Sequence, residues 1–440
     1  MRTALLAVVV MLAAVAAAVT PVSSAAAATP TTTTLAAPPQ LTLRAPVTLS
    51  ATVTAPAGPV GSGVVRFEQQ TATGWVPIGD AALDGAGTAS LQTTFSTAPV
   101  TVRASYLGAD GNDPSSSTPS TMTGVPQPTT ATLAAPRSVV DERTLQVSAD
   151  VRTPSGPVPG AAVSFQVFTD GAWRTYGTSV TDGAGVATAR SRPRSTYRYR
   201  ALVTGADWFT AARTATITVR NTPPGRVVTV PAEAPRPRRI AAQPRASGDG
   251  ANASIGRISS SVWTSMTGRS WRPGCPVGRD QLRLVRVTYW GFDGYRHRGE
   301  IVVNRAIAAK TARAFTDLYR HRVSIRAMYR VDRFGYSSRV SGANDYTSML
   351  SDNTSGFNCR AVVGRAGVRS PHATGRAIDV NPFENPYRYR YAKWVPNTWW
   401  HTRAIGTYAW TKRSHLVPTI MRRNGFRWTY GIVDAQHFDG

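Results

Sequence analysis

The chain has 440 residues, enough for two to four domains with real cores. Its net charge of +26 is unevenly spread: residues 255–440 carry 27 Arg and 3 Lys against 11 acids, a local +19. Only two cysteines occur, Cys275 and Cys359, which excludes a zinc site built from cysteine pairs.

Met1-Arg2-Thr3 is a short positive start, Ala4 to Val19 is an unbroken apolar run, and Ala26-Ala27-Ala28 supplies small residues for cleavage. This pattern predicts a secretory signal peptide over residues 1–28. As an uncleaved membrane anchor the run is short. The chain is therefore expected to be secreted and associated with the cell wall, with no membrane span in the mature form. In that setting a basic surface expects a polyanion, an anionic cell-wall polymer. Nucleic acid is disfavoured, because no recognition motif accompanies the charge. Arginine outnumbers lysine 47 to 3, as GC-rich coding bias also produces, so part of the charge has a compositional reading.

Residues 31–37, TTTTLAA, recur at 129–135 as TTATLAA, an offset of 98. The same offset carries Phe67 onto Phe165, Trp75 onto Trp173, and Asp84-Gly85-Ala86-Gly87 onto Asp182-Gly183-Ala184-Gly185. Within each copy apolar residues alternate, as in Val47, Leu49, Ala51 and Val53, and again in Leu145, Val147, Ala149 and Val151. Short strands with frequent Gly, Pro and Asp-Gly turns predict two all-β sandwiches, over residues 29–125 and 126–221. Trp75 and Trp173 are expected to pack in the core or between sheets rather than stack on a ligand. Both copies resemble the bacterial immunoglobulin-like repeats of surface proteins, a resemblance that implies spacing or adhesion and nothing catalytic.

Residues 222–254 hold six prolines and no sustained periodicity, which predicts a semi-extended, mobile Pro/Arg-rich linker. From residue 255 the composition shifts to Trp, Tyr and Arg. Leu284 to Trp290 reads as a strand. Asn304 offers an N-cap to an amphipathic helix over 305–320, and Val323 to Met328 reads as a second strand. A further helix is expected from Ser414 to Asn424, ended by Gly425. Residues 255–440 should thus form an α+β domain with a small antiparallel sheet. In an exported chain Cys275 and Cys359 read as a disulfide. Closing so long a loop contributes on the order of 4 kcal/mol.

All six histidines lie in this last region. His372 and Asp379 flank Gly375, and Asp379 sits in the apolar run Ala377-Ile378-Asp379-Val380. A carboxylate in such a strand needs a partner, and a cation is the obvious one. His437 can supply a third ligand, with Asp434 beside the metal without binding it. Two His and one Asp leave a fourth tetrahedral position to water, the arrangement of a hydrolytic zinc site, where Asp434 would act as general base. His401 is set aside as a ligand, since Thr398 and not an acid stands three residues before it.

Ser370-x-His372-x-x-Gly375-x-Ala377-x-Asp379 followed by Asp434-x-x-His437 resembles the zinc peptidases of the VanY-like D-Ala-D-Ala carboxypeptidase and L-alanyl-D-glutamate endopeptidase group. The likeness spans roughly residues 270–440 and includes Pro273-Gly274-Cys275-Pro276, Gly299 to Asn304, Asn353 to Arg360 and Asp379-Val380-Asn381-Pro382. It implies Zn2+ held by His372, Asp379 and His437, Asp434 as general base, and an arginine for the polarised carbonyl oxygen, matched here by Arg360. Thr429-Tyr430 stands where relatives commonly place small glycines, so the pocket is expected to differ. The leading expectation is a secreted, monomeric zinc peptidase that cuts stem or cross-link peptides of peptidoglycan. The alternative is a non-catalytic wall-binding protein with a degenerate peptidase domain.

Overall fold

The computed structural model describes residues 27–362, 365–389 and 393–440. The signal peptide expected at 1–28 lies outside them except for its last two residues. Among the described residues no helix is long and apolar enough to cross a membrane.

The first module is a sandwich of two sheets, with the longer strands β1 (Thr32–Ala36), β2 (Pro46–Ala55), β3 (Val64–Thr71), β4 (Gly74–Ala82), β5 (Thr88–Thr94), β6 (Val100–Tyr106) and β7 (Ser120–Val125). In one sheet β2 pairs with β1 and β5; in the other the order is β7-β6-β3-β4. Alternation drives the packing: Leu49, Ala51 and Val53 of β2 face Val65, Phe67, Val102, Ala104 and Tyr106 across a buried core.

The second module repeats this order with β8 (Thr130–Ala134), β9 (Leu145–Thr153), β10 (Ala162–Thr169), β11 (Ala172–Val180), β12 (Val186–Ser191), β13 (Tyr197–Val203) and β14 (Ile217–Thr222). Even the bulge is duplicated, between Phe67 and Glu68 and between Phe165 and Gln166. In the Asp-Gly-Ala-Gly turns, Asp84 and Asp182 each accept two backbone N–H bonds at 2.8–2.9 Å. Gly87 and Gly185 close those turns at φ +76° and +81°, against the carbonyls of Val53 and Val151. Trp75 and Trp173 are not in the cores. They lie half-buried on β4 and β11 beneath Arg103 and Arg200, 4.4 and 4.2 Å from the guanidinium carbons. A large indole outside a core of small side chains keeps its face for a cation instead.

The proline-rich segment after β14 forms neither helix nor strand up to β15 (Ser254–Arg257), yet it is packed rather than trailing in solvent. Ala234, Gln243, Ala246 and Ala251 are buried. Gln243 Nε2 donates to the Met328 carbonyl at 2.8 Å, while its Oε1 accepts from Met328 N–H at 2.8 Å and Tyr289 O–H at 2.7 Å. An extended backbone with few internal hydrogen bonds leaves its groups free to pair with a sheet edge, as at the bridge of Arg245 with His297.

Beyond it α1 (Ser260–Met266) precedes the antiparallel strands β16 (Leu282–Trp290) and β17 (Arg296–Asn304). The helix α2 (Arg305–Arg320) begins at Asn304, whose side chain accepts the Ala306 N–H at 3.0 Å, a cap that contributes about 1 kcal/mol. Its Ile307, Ala314, Phe315 and Leu318 share a buried core with Val285, Val287, Ile301 and Val303. Val323 to Met328 is not a strand. Its apolar side chains enter the core, but its backbone makes only isolated bridges, Trp290 with Ser324 and Ala327 with Asn353. Its backbone groups pair singly with scattered partners: Ile325 N–H with the Trp290 carbonyl, Met328 with Glu300 N–H and the Gln243 amide, and the Ser324 carbonyl with the Asn381 amide.

The chain continues through α3 (Asp345–Leu350) and two three-residue strands, β18 (Ala377–Asp379) and β19 (His437–Asp439), which pair antiparallel. Between them α4 (Leu416–Arg423) starts two residues later than its expected Ser414 cap and ends before Gly425 at φ +83°. Cys275 and Cys359 form a disulfide with Cα atoms 6.0 Å apart, spanning 84 residues. Cys275→Ser with Cys359→Ser is expected to lower stability by about 2–4 kcal/mol, read as a reduced midpoint in urea unfolding.

Candidate metal centre

His372 lies in a single 3-10 turn, Pro371–Thr374, opened by Ser370 as N-cap. Gly375 ends the turn at φ +69°, and a Cβ there would meet Asn304 N at 2.8 Å. Only glycine both tolerates the left-handed conformation and fits against the start of α2. The chain then enters β18, where register places Asp379 directly opposite His437 of β19. Directly opposed residues share a face of the pair, so strand pairing brings together side chains 58 positions apart.

The three side chains converge. His372 Nε2 is 3.2 Å from Asp379 Oδ2, His437 Nδ1 is 3.1 Å from Asp379 Oδ1, and the two ring nitrogens are 3.2 Å apart. One ligand atom from each residue lies within 4.8 Å of the others, and all three residues are buried. The second ring nitrogens fix which lone pairs face inward. His372 Nδ1–H donates to the Gly356 carbonyl at 2.8 Å, and His437 Nε2–H donates to Asp439 Oδ1 at 3.1 Å. Each imidazole therefore turns its remaining nitrogen towards the other, and two nitrogens at 3.2 Å need a positive charge between them, a proton or a metal ion. Such a set, with outward nitrogens tied to a carbonyl and a carboxylate, is how proteins orient histidine for a divalent metal ion.

The electrostatics show the same demand for positive charge at this point. Burial alone would raise the Asp379 carboxyl, but His372 and His437 hold it well below the usual carboxylate range. Burial alone would lower His437, yet its hydrogen bonds to Asp379 and Asp439 push it up to about 10. Asp434 behaves oppositely: burial, reinforced by Asp379, outweighs the two histidines and pushes its carboxyl up to about 6. Its Oδ1 is shielded from solvent with no hydrogen-bond partner among the described residues.

Asp434 and Arg360 line the same cleft as the three converging residues, a cavity of about 380 Å³ that Tyr387, Tyr430 and Arg388 also border. Arg360 is not free in it, because its guanidinium binds Asp345 Oδ2 at 2.8 Å. Tyr430, in the loop expected to set this pocket apart, lies with its ring centroid 5.3 Å from that of His437. His401 is outside the cluster, half-buried and stacked on Trp394.

Two stretches of the chain match known families. Residues 32–124 match the bacterial Ig-like domain (group 3), and residues 363–440 match the family described as D-alanyl-D-alanine carboxypeptidase. The second match contains His372, Asp379, Asp434 and His437. No curated protein matches the chain significantly. Solved structures give low-identity likenesses. The D0-D1 domain of intimin is 15% identical, with 43% of this chain and 97% of that one covered at a TM-score of 0.17. A tetra-tandem repeat from the extending region of a large adhesion protein is 12% identical, with 63% and 64% covered at 0.28. The sulfur carrier protein SoxY from Chlorobium limicola f thiosulfatophilum is 17% identical, with 21% and 78% covered at 0.16. Scores this low carry no argument about the chain.

The carboxypeptidase-family stretch also holds a partner that sequence reading did not single out. Asp439 is two residues beyond His437 on one strand, so period-two alternation puts both on one face and could have revealed it. Asp345, which holds Arg360, had no local signal. Asp439→Ala is expected to weaken divalent-metal binding by about 10–100-fold in competition with a chromogenic chelator. His437→Ala should abolish it, and an unchanged affinity for Asp439→Ala would remove the orienting role.

Proposed function

We propose that the C-terminal domain is a zinc peptidase that hydrolyses a peptide bond in the stem or cross-link peptides of peptidoglycan. The cut would be of the D-Ala-D-Ala carboxypeptidase or the L-Ala-D-Glu endopeptidase type. The observation that carries this is the convergence of His372 Nε2, His437 Nδ1 and an Asp379 oxygen within 4.8 Å, in a stretch that matches the carboxypeptidase family. Zinc held tetrahedrally at about 2.0–2.2 Å separates its ligand atoms by about 3.3–3.6 Å. The measured separations of 3.1–3.2 Å fit after a small outward relaxation. Magnesium or calcium would call for six or more oxygens, which two imidazoles do not supply.

Bound zinc supplies Lewis acidity, lowering the pKa of water from about 15.7 towards 7 and polarising the scissile carbonyl. The chain's own groups do the rest. Asp434, whose Oδ1 is unpartnered and whose pKa is raised, accepts the attacking water's proton and returns it to the leaving amine. The Gly356 carbonyl and Asp439 keep the two imidazoles in the tautomers that binding requires. Arg360 reaches the carbonyl oxygen or a nearby substrate carboxylate, and Asp345 holds it in place meanwhile. Arg365 and Arg388 add positive charge to the same cleft, which favours peptides with a carboxylate close to the scissile bond. The protein would act outside the cell on the wall, as a monomer, with the two sandwiches setting its reach.

Incubation with purified peptidoglycan, followed by mass spectrometry of the products, tests the reading and names the bond. Asp434→Ala should release fragments about 10²–10⁴-fold more slowly than wild type. Elemental analysis should find about one zinc per chain, lost in His372→Ala with His437→Ala. Metal-loaded wild type that releases no more than Asp434→Ala would overturn the enzyme reading.

A further inference from the structure

A second strongly charged cavity lies away from the metal centre. A cleft of about 690 Å³ opens between the second sandwich and the C-terminal domain. Six arginines line it, Arg143, Arg192, Arg194, Arg296, Arg320 and Arg322, against three acids. The acids are already engaged. Glu142 accepts from Arg296 at 2.8 Å and lies 3.4 Å from Arg194, Asp249 accepts from Arg296 at 2.5 Å, and Asp141 lies 3.5 Å from Arg245.

Arg143, Arg192 and Arg322 have no carboxylate within 4.0 Å among the described residues, and all three are exposed. Arg320 pairs only with Asp317, on the surface of its own helix. Arg296 is itself only 4% exposed, and its Nε is shielded from solvent without a hydrogen-bond partner. The cleft therefore keeps an uncompensated positive charge after every internal pairing has been made.

Its walls are also fixed. Trp290 donates from Nε1 to the Tyr319 carbonyl at 3.0 Å, and the two rings stack with centroids 5.4 Å apart. Arg194 donates to Ser247 Oγ at 2.6 Å and to the Ala246 carbonyl at 2.7 Å, joining the sandwich to the packed segment. A cleft whose floor does not rearrange leaves only the exposed arginine side chains to be ordered when an anion binds.

We propose that this cleft binds a phosphodiester-linked anionic polymer of the cell wall and docks the protein on it. The proposal rests on the wall-acting reading above, and adds to it a place and a ligand chemistry. Guanidinium forks match paired phosphate oxygens, and a phosphodiester stays charged across the physiological pH range. A repeating chain brings several such groups to one cavity, which three free arginines require.

The position suits docking. Tyr319 and Arg320 end α2, whereas Asn304 at its start donates to the Thr374 carbonyl beside the metal centre at 2.9 Å. Sixteen residues at 1.5 Å each separate the two by about 24 Å, so a bound polymer leaves the metal cleft open.

The test titrates the purified full chain with poly(glycerol phosphate), with polygalacturonate and with duplex DNA of matched charge. Arg143→Ala/Arg192→Ala/Arg322→Ala should weaken poly(glycerol phosphate) binding by about tenfold or more. Removing the same charge elsewhere, by Arg313→Ala/Arg422→Ala/Arg423→Ala, should change it by less than about twofold. Arg192→Ala alone, at an exposed position, should weaken binding by about threefold and guards against misfolding of the triple variant. Equal losses in the two triple variants, or tighter binding of polygalacturonate or DNA through the same arginines, would overturn the proposal. Peptidase activity on soluble muropeptides is measured in parallel and should not change in the cleft variants. Polymer binding that persists in protein without peptidase activity would support the cleft and defeat the peptidase reading instead.

Discussion

The pairing of β18 with β19 is the contact on which the C-terminal site depends. Three residues face three, and the middle pair, Ile378 and Phe438, is fully buried in the core under α2. A slip by one residue would expose that pair and turn Asp379 and His437 to opposite faces. Hydrophobic burial thus fixes a register whose product is polar. Neighbouring contacts hold the same alignment. Trp410 and Trp428 both donate from Nε1 to the Ala435 carbonyl at 2.8 Å, and Gly440 N–H donates to the Arg376 carbonyl at 2.7 Å. The approach to His437 is fixed on either side before its ring is placed.

Once assembled, the site concentrates polar groups that no apolar core tolerates unpaired. Burying a carboxylate costs several kcal/mol unless opposite charge and hydrogen bonds offset it. Asp379 meets that demand with two histidines, and the histidines meet theirs with Gly356 and Asp439. Gly356 shows how little slack remains, for a Cβ there would lie 2.5 Å from the Val302 carbonyl. A side chain would push the backbone away from His372 and free its ring to turn.

Much of this was legible in the sequence because it is local. Period-two alternation reports a strand face directly, and the duplicated modules carried the same turns, bulge and core residues at a fixed offset. Asn304 marked the start of α2, and the spacing of His372, Gly375 and Asp379 marked one side of the site. What escaped depends on partners distant in the chain. Val323 to Met328 has a strand's composition, but its backbone groups go to scattered partners, among them the Asn381 and Gln243 amides, rather than to a continuous ladder. The proline-rich segment has the composition of a tether, and its packing shows only in distant contacts such as Gln243, inserted between Met328 and Tyr289. Trp75 and Trp173 look like core residues until Arg103 and Arg200 are seen to cover them.

Arg360 shows how a covalent link and a helix cap meet at one guanidinium. Its neighbour Cys359 is tied to Cys275, and Asn358 exchanges hydrogen bonds with the backbone N–H and carbonyl of Ala343 at 3.0 and 3.1 Å. Asn344 then caps α3 by accepting the Thr347 N–H at 3.0 Å, which presents Asp345 to the guanidinium. A loop alone would leave a long arginine side chain to sample many rotamers, at an entropic cost of up to about 2 kcal/mol on binding. Here that cost is met during folding, and under the proposed function a substrate would meet a guanidinium already in position. The disulfide therefore constrains the site as well as the unfolded chain, because the segment it anchors is the one that carries Arg360.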